Sequence, residues 1–423
     1  MFARPAAIVI ALLLSVAVHA APSEEAVQAL RKAVGFFRES VAVEGGYVWK
    51  YSADLTKREG EGRATPTQVW VQPPGTPSVG EAFLATYNTT GDAYYLDAAR
   101  ETAQALVRGQ LASGGWDYKI DFDAAKRKNY AYKSDGGTGK FNTTTLDDNT
   151  TQSALKFLIH IDQALAKSDP PIHDAVVYAL DKLIAAQYPN GAWPQRFIEA
   201  PDPTKYPVIK ASYPESWSRE WATRDYKGDY TFNDSSIADM IELMLLAHDA
   251  YGDVRYRDAA LRGGDFILLA QMPDPQPGWA QQYDAEMHPV WARKFEPPAI
   301  GGGESQGVMR TLIGLFDKTG EKRFLLPVSR ALAYYKSSLL PDGRLARFYE
   351  LQTNKPLYFT KDYKLTFAAD DLPTHYSFIV GSGLDGIQSE YDRAITEGPK
   401  PRATREELPV GPAKIEEKIH ALN

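Results

Sequence analysis

The sequence contains no cysteine among its 423 residues, and this absence excludes several kinds of chemistry. Without thiols there is no disulfide framework, no thiolate nucleophile and no cysteine ligand for a metal. Only seven histidines occur, scattered along the chain, so a zinc cluster is not expected. A nucleophile elbow, a phosphate-binding loop and a dinucleotide fingerprint are also missing. The remaining candidates for metal ligands are oxygen atoms.

An excess of basic residues is also lacking, because 47 Lys and Arg face 54 Asp and Glu, for a net charge of −7. No basic stripe is present, which argues against a nucleic-acid-binding protein. No long hydrophobic run follows the N-terminus, so no membrane span is predicted. Residues 1–20 predict a signal peptide, since Arg4 is followed by an apolar stretch over 6–18 and a small-residue cleavage site. Together with the absence of cysteine, this signal predicts a secreted or periplasmic bacterial protein.

What the sequence does contain is a unit that recurs four times, a pair of helical segments followed by a turn with glycine, an aromatic residue and polar residues. The turns are GGYVWKY at 45–51, GGWDYKI at 114–120, NGAWPQRF at 190–197 and PGWAQQY at 277–283. A degenerate fifth turn, DGRLARFYE, covers 342–350. Repeats of this kind indicate that one supersecondary unit is stacked, so that equivalent ends of the units line one surface.

The helical segments show apolar residues at helical intervals, as in Leu155, Leu158 and Ile159, whereas strand-like alternation is scarce. The predicted pairs are 79–87 with 93–110, 151–166 with 173–187, 235–251 with 256–270, and 306–318 with 323–339. We therefore predict an all-α fold, an (α/α) toroid of repeated helix pairs, for one domain over residues 21–396. The charged, proline-containing residues 397–423 are predicted to form a C-terminal tail.

A helical hairpin returns to the end at which it began, so the start of its first helix and the end of its second lie together. The tryptophan turns follow second helices. The segments DDNTT (147–151), FNDSS (232–236) and GGESQ (302–306) precede first helices. All of them should gather at one end of the toroid, here called the rim, with the long irregular segments 117–146 and 198–230. The rim is the predicted functional face.

Two helix starts on the rim carry an acidic residue beside an amide or hydroxyl residue. Asp148 precedes Asn149, and Asp234 lies between Asn233 and Ser235. Each motif alone is an ordinary helix cap. Taken together, they predict a site for a hard cation such as Ca²⁺, with Asp148 and Asp234 as ligands and with water and an acidic substrate completing the shell.

Three basic residues occur in irregular, aromatic-rich segments rather than on helix faces. They are Arg293 in WARKFEPP, Arg347 in ARFYE and Lys361 in YFTKD. Solvated surface charge is the ordinary interpretation of any one of them. Their shared setting favours contact with a ligand, and arginine is suited to a bidentate grip on a carboxylate.

The sequence resembles the pectate lyases of polysaccharide lyase family 10, from about residue 30 to residue 390. Six segments in the right order carry the resemblance. They are NTTTLDDNTTQSALKFL (142–158), AAQYPNGAWPQ (185–195), YTFND (230–234), GWAQQYD (278–284), WARKFEPPAIGGGESQGVMR (291–310) and RFYELQTNKPLYF (347–359). The resemblance implies an (α/α) toroid, in agreement with the helix pairs, and cleavage of polygalacturonate by Ca²⁺-assisted anti-β-elimination.

The resemblance also implies roles for individual residues. It implies Asp148 and Asp234 as metal ligands, Arg293 as the base, and Asn149, Arg347, Lys361 and Tyr376 as substrate-binding residues. Lys361 stands where the family has a second arginine. The family segment Asp-Asn-Gly-Ala-Thr becomes Asp148-Asn149-Thr150-Thr151, and segment 198–230 looks longer than usual.

An arginine base poses a chemical difficulty, because the pKa of a free guanidinium lies above about 12. We expect the positive charge of Ca²⁺, Lys361 and Arg347 to disfavour the charged form of Arg293. On this interpretation the activity should rise with pH into the alkaline range.

Two other functions are compatible with the same architecture. A glycoside hydrolase would use Asp148 and Asp234 as acid and base. A non-catalytic protein would capture acidic sugars with the same rim. Arg293 beside both acidic motifs favours the lyase over simple binding. The predicted partner is therefore polygalacturonate, acted on by a monomer.

Overall fold

The computed structural model describes residues 24–400. The predicted signal peptide at 1–20 and residues 401–423 of the predicted tail lie outside this range. The described chain falls into two compact units, residues 24–37 and 38–400. The first contains helix α1 (Glu24–Phe36), and the second, which contains the predicted site, is described here by itself. Within the described range, no helix combines the length and the hydropathy that a membrane span requires.

Residues 38–400 contain four helix pairs, as predicted. The pairs are α2 (Thr76–Thr90) with α3 (Ala93–Gly109), α5 (Thr150–Ala164) with α6 (Pro170–Ala185), α7 (Ser236–Tyr251) with α8 (Val254–Ala270), and α9 (Glu304–Thr319) with α10 (Leu326–Ser337). A short α4 (Ala124–Arg127) lies in the first long irregular segment, and α11 (Leu384–Glu397) packs on α9 and α10. The predicted (α/α) toroid is confirmed.

The first helices of the pairs form the inner layer. Helices α2, α5, α7 and α9 contact one another in succession, and each contacts the second helix of its own pair. The packing of α2 on α5 depends on Gly80 of α2, where an added Cβ would lie 2.2 Å from the ring of Phe157 on α5. Phe157 is completely buried. The apolar periodicity in the sequence therefore marks the side of each helix that faces this shared core.

Three of the four recurring tryptophans fix the turns at the rim. Trp116, Trp193 and Trp279 are buried, and each indole N–H donates to a backbone carbonyl of the preceding second helix, at 2.8–2.9 Å. Truncating a buried aromatic residue of this size to alanine costs about 3–5 kcal/mol in proteins generally. The first turn differs, because Tyr47 is the buried residue there and Trp49 is only partly buried.

A glutamine at the end of each of three second helices links that helix to the next repeat. The side-chain amides of Gln110, Gln187 and Gln271 each donate to a carbonyl in their own turn and to a carbonyl in the following second helix. All six distances are 2.8–2.9 Å. Because the same pair of hydrogen bonds links each of these second helices to the next one, the turns at the rim are held at similar positions relative to one another.

Short antiparallel strands complete the rim. They are β1 (Lys50–Tyr51), β2 (Arg58–Glu59), β3 (Gln68–Trp70), β4 (Lys119–Asp121), β5 (Thr144–Thr145), β6 (Arg196–Phe197), β7 (Tyr230–Thr231), β8 (Gln282–Tyr283), β9 (Ala299–Gly301), β10 (Leu345–Ala346), β11 (Phe348–Glu350), β12 (Pro356–Phe359), β13 (Leu365–Thr366) and β14 (Ile379–Val380). The largest sheet has the order β13-β12-β11-β9, and the others are two-stranded.

Three of these strand pairings place the helix starts beside the turns. Strand β5 precedes α5 and pairs with β6 after α6, β7 precedes α7 and pairs with β8 after α8, and β9 precedes α9 and pairs with β11 after α10. Each pairing thus joins the beginning and the end of one helix pair. This is the structural basis for the predicted gathering of the acidic and basic motifs on one face.

Candidate active site

The two acidic helix starts share one unusual backbone conformation. Asp148 and Asn149 have φ values of 51° and 56°, and Asp234 and Ser235 have φ values of 49° and 58°. Each pair lies in a short 3₁₀ turn, Asp147–Asn149 or Asn233–Ser235, directly before its α-helix. A non-glycine residue in this left-handed region costs about 1–3 kcal/mol, and such residues cluster at functional sites. Because the backbone conformation is the same before α5 and before α7, the side chains of Asp148 and Asp234 leave the backbone in equivalent directions relative to their helices.

Three carboxylates meet at these two turns. Asp147, Asp148 and Asp234 each offer an oxygen within 4.8 Å of the others. Carboxylate oxygens are the ligands that Ca²⁺ prefers. The three residues therefore form a donor set that fits a hard divalent cation, and here they are called the carboxylate cluster.

Asp147 is held by three side chains. Its carboxylate accepts hydrogen bonds from the Tyr118 hydroxyl at 2.8 Å, the Gln195 amide at 2.9 Å and the Arg196 guanidinium at 3.1 Å. The positive charge of Arg196 partly balances this carboxylate. Asp147 is consequently the most firmly oriented member of the cluster.

Asp148 and Asp234 are each met by an amide. The Gln72 side chain donates to Asp148 at 3.0 Å, and its carbonyl accepts from the Trp70 indole at 3.0 Å, which fixes the direction of the amide. The Asn233 amide donates to Asp234. Neutral donors orient a carboxylate without cancelling its charge, so the negative charge remains available to a cation.

The electrostatics of the cluster favour a cation. Burial, and then the charges of Asp147 and Asp234, raise the pKa of Asp148 to about 6. Partial removal from water and the charge of Asp147 raise the pKa of Asp234 as well. Carboxylates that repel one another in this way lose their mutual destabilisation when positive charge enters between them. The donor set therefore fits the Ca²⁺ that the sequence predicts.

The raised pKa of Asp148 has a consequence for the stability of the calcium-free protein. Between about pH 4 and pH 6 the folded protein keeps this proton and the unfolded chain releases it, so rising pH through this window lowers stability. Asp148→Asn removes the effect and should raise the melting temperature by a few degrees at pH 7 but not at pH 4. Thermal unfolding in chelator checks this. Wild type and variant are compared at each pH, because the effects of the other carboxylates on stability are then the same in both proteins. An equal difference at both pH values would contradict it.

Arg293 lies in the irregular segment between β8 and β9 and forms a two-pronged ion pair with Glu296. Its Nε and Nη2 atoms donate to the two carboxylate oxygens at 2.9 and 2.6 Å. Glu296 is only 3% exposed, whereas Arg293 is 41% exposed. The pair fixes the guanidinium on its inner side and leaves its outer side open to a ligand.

The ion pair corrects one expectation about Arg293. The hydrogen bonds and the charge of Glu296 raise the pKa of Arg293 above its ordinary value. The sequence led us to expect the opposite, because it did not reveal that a buried acid three residues later would turn back onto the guanidinium. Glu296 in turn has a lowered pKa, since contact with Arg293 outweighs the effect of burial. Arg293 is therefore held charged in this state of the protein.

Arg347 and Tyr376 lie beside this pair. Arg347, between β10 and β11, donates to Glu304 at the start of α9, at 2.6 Å. Its guanidinium lies 4.2 Å from the centre of the Tyr376 ring. The Tyr376 hydroxyl donates to Glu296 at 3.2 Å, and so connects the two arginine pairs.

The carboxylate cluster and the arginines belong to one site. Arg293 is close enough to lower the pKa values of both Asp148 and Asp234, and Arg347 is close enough to lower that of Asp234. Asn149 adjoins Asp148 at the start of α5. The structure thus brings together the predicted residues Asp148, Asn149, Asp234, Arg293, Arg347 and Tyr376.

Lys361 is the predicted residue that is not brought into this group. It lies in the turn between β12 and β13, where its ammonium pairs with Asp371 at 3.1 Å and remains 66% exposed. Within residues 24–400, its contacts lead to Asp371 and not to Arg293, Arg347 or Tyr376. Lys361 pairs with an exposed acid, so in this structure it does not take the place of the second substrate-binding arginine that the family resemblance implied.

Sequence reasoning missed Asp147, Glu296 and Gln72. Asp147 could have been found from the family segment Asp-Asn-Gly-Ala-Thr, which fits residues 147–151 without a gap. Asn149 then takes the glycine position, and its left-handed backbone is one that glycine and asparagine adopt most readily. Nothing in the sequence signals Gln72, which reaches Asp148 from a different repeat.

Comparison with known proteins identifies the family. A family model described as pectic acid lyase matches residues 110–345, which is more than half of the chain. The chain belongs to the pectic acid lyase family. The matched residues include the carboxylate cluster and Arg293. The protein is therefore a polysaccharide lyase, and the family resemblance predicted from the sequence is confirmed.

Two solved structures of a family 10 polysaccharide lyase share the fold. A family 10 polysaccharide lyase from Cellvibrio cellulosa has a TM-score of 0.50 and 21% identity, over 75% of this chain and 96% of that chain. A variant of that lyase in complex with trigalacturonic acid has a TM-score of 0.50 and 20% identity, over 75% of this chain and 97% of that chain. At these identities the likeness establishes the fold. A search of curated protein sequences finds no significant match.

Proposed function

We propose that this pectic acid lyase is a calcium-dependent enzyme that cleaves α-1,4-linked polygalacturonate by anti-β-elimination and releases 4,5-unsaturated oligogalacturonides. The observation that supports this most is the convergence of three aspartates and two arginines on one rim. The proposal includes export to the periplasm or the medium and action as a monomer. N-terminal sequencing of the exported protein and size-exclusion chromatography check these two points.

The reaction removes the proton on carbon 5 of a galacturonate unit, next to its carboxylate. That proton is weakly acidic while the carboxylate keeps its full negative charge, because removal creates further negative charge on the same group. Asp147, Asp148 and Asp234 would hold Ca²⁺. The ion supplies positive charge beside the substrate carboxylate, which lowers the cost of forming this charge.

The chain's own residues provide the other functions. Arg347, held by Glu304 and stacked on Tyr376, would pair with the substrate carboxylate. Arg293 would receive the carbon-5 proton. The electron pair of that C–H bond then forms the double bond between carbons 4 and 5, the bond from carbon 4 to the glycosidic oxygen breaks, and the departing oxygen takes a proton from water. Because Glu296 keeps Arg293 charged, Arg293 must first lose a proton to solvent. This requirement favours reaction at alkaline pH.

An ultraviolet assay on polygalacturonate tests the proposal. The conjugated double bond absorbs, so absorbance should rise with time, rise faster at alkaline pH, and slow at least tenfold in chelator, as expected when a metal's charge stabilisation is lost. Chelator already saturated with calcium is the control and should have no effect. Shortened products without absorbance would indicate a hydrolase, and binding without shortened products would indicate a non-catalytic protein.

A further inference from the structure

A second surface on the same unit lies between the long irregular segment 198–230 and the hairpin β12–β13. It is an open groove of about 840 Å³. Its lining includes Arg219, Trp221, Trp291, Lys294, Lys364 and Phe367. Here it is called the insertion groove. None of the residues assigned to the proposed reaction lines it.

The wall of the insertion groove is fixed to the segment that carries Arg293. The Trp221 indole donates to the Ala292 carbonyl at 3.0 Å, and the Trp291 indole donates to the Ser218 carbonyl at 2.9 Å. Arg219 pairs with Glu350, which is buried in the central sheet. These contacts hold residues 218–221, which form one wall of the groove, against the segment that carries Arg293 and against the central sheet.

The insertion groove adjoins the candidate active site. Lys294 lines the groove and follows Arg293 directly in the chain. The ring of Phe295 lies between the two regions, 4.8 Å from the centre of Tyr376 at the active site and 6.1 Å from that of Tyr363 in the groove lining. A linear polymer bound at Arg293 and Arg347 can therefore extend into the groove.

The chemistry of the lining fits sugar acids. Trp221 is 40% exposed and Phe367 is 46% exposed, and both line the groove, so their rings are accessible to a ligand bound there. Flat aromatic rings stack on the C–H faces of sugar rings through dispersion and burial of apolar area.

The cations of the lining are suited to carboxylates. The ammonium of Lys294 lies 3.6 Å from the centre of the Tyr363 ring, and neither Lys294 nor Lys364 forms an ion pair with any residue in the range 24–400. Three basic and two acidic side chains line the groove in all. Lys294 and Lys364 are therefore the side chains that can pair with the carboxylates of a bound chain.

We propose that the insertion groove binds further galacturonate units of a substrate chain whose reacting unit lies at Arg293, so that segment 198–230 sets a preference for long substrates. This inference rests on the proposed function. Trp221 and Phe367 would stack on sugar rings, and Lys294 and Lys364 would pair with carboxylates. The groove would thus increase the rate on long chains relative to short ones.

The test compares kcat/KM on trigalacturonate and hexagalacturonate. In Trp221→Ala, the ratio of the hexamer value to the trimer value should fall about tenfold, the effect of losing one well-packed aromatic contact. Trp221→Phe should keep most of the ratio, because the ring is retained and the indole hydrogen bond is not. Val208→Ala, at a 59% exposed position of the same segment, is the control and should leave both values unchanged.

A second variant covers the case in which Trp221→Ala disturbs the segment. Lys364→Ala changes an exposed hairpin residue and should lower the same ratio about twofold to fivefold, with a smaller effect at high salt. Equal losses on both substrates, or an unchanged ratio in both variants, would overturn the proposal. If wild type cleaves neither substrate and releases no unsaturated product from polygalacturonate either, the proposed function fails, and calorimetry with hexagalacturonate decides on the groove: weaker binding to Trp221→Ala supports it, and unchanged binding refutes it.

Discussion

Replacing Arg293 with alanine should lower the rate of unsaturated-product formation by at least about a thousandfold, within the range for loss of a general base. The side chain is 41% exposed and its hydrogen bonds lead to Glu296, so the helix pairs do not depend on it. Initial rates on polygalacturonate, with circular dichroism to monitor folding, measure the effect. A near-normal rate would remove Arg293 from the reaction.

A matched double variant separates catalysis from damage to the site. Arg293→Ala leaves Glu296 buried with its main counter-charge removed, and an unpaired buried charge is destabilising in its own right. Arg293→Ala combined with Glu296→Gln removes that charge as well. The double variant should recover any lost melting temperature but remain inactive. Recovery of activity would show that Arg293 only neutralises Glu296.

Glu296→Gln alone distinguishes two roles for Arg293. Glu296 raises the pKa of Arg293, so the neutral amide should lower it. If Arg293 accepts the proton, the pH–rate curve moves towards lower pH and the variant is faster than wild type near neutrality. If Arg293 acts only as a fixed positive charge, the variant is slower at every pH and its curve does not move in that direction.

The fold was predictable because its signals are local and repeated. Leu155, Leu158 and Ile159 follow the helical period and are completely buried. Trp116 and Trp193 recur at equivalent turns and make equivalent hydrogen bonds. Because several repeats independently support the same prediction, one exception, Tyr47 in place of Trp49, did not affect the prediction of a toroid.

The site was only partly predictable because its pairings are not repeated. The sequence suggested that Arg293 would sit among positive charges, but the turn at 293–296 brings Glu296 back onto it. Lys361 matched a position in the chain, yet its ammonium pairs with Asp371, which lies in the segment after β13. Such choices depend on which short polar contacts form in irregular segments, and neither periodicity nor spacing encodes them.

The backbone at Asp148 and Asp234 explains why two aspartates from different repeats act together. Both lie in left-handed turns with nearly identical dihedral angles, and the strand pairs β5–β6 and β7–β8 support these turns in the same way. The residue of the second turn that corresponds to Asp147 is Asn233. The first turn therefore carries two aspartates, whereas the second turn carries one asparagine and one aspartate. The cluster is therefore a modified repeat, with three carboxylates where strict repetition would give four.

Replacing either Asp148 or Asp234 with alanine should weaken calcium binding by at least about a hundredfold, because direct ligands contribute more than the supporting residues whose loss costs 10–100-fold. Activity at low calcium should fall in parallel and recover partly at high calcium. Isothermal titration calorimetry with calcium alone measures the affinity without relying on turnover.

A neighbouring acid outside the cluster provides the control that separates ligation from general charge. Glu61 is exposed and close enough to raise the pKa of Asp148, but it is not one of the three clustered carboxylates. Glu61→Gln removes the same unit of charge and should change calcium affinity only about twofold to threefold, since exposed charges are screened. If the two aspartate variants bind calcium as tightly as Glu61→Gln does, the carboxylate cluster is not the metal site, and its strained turns must serve the substrate instead.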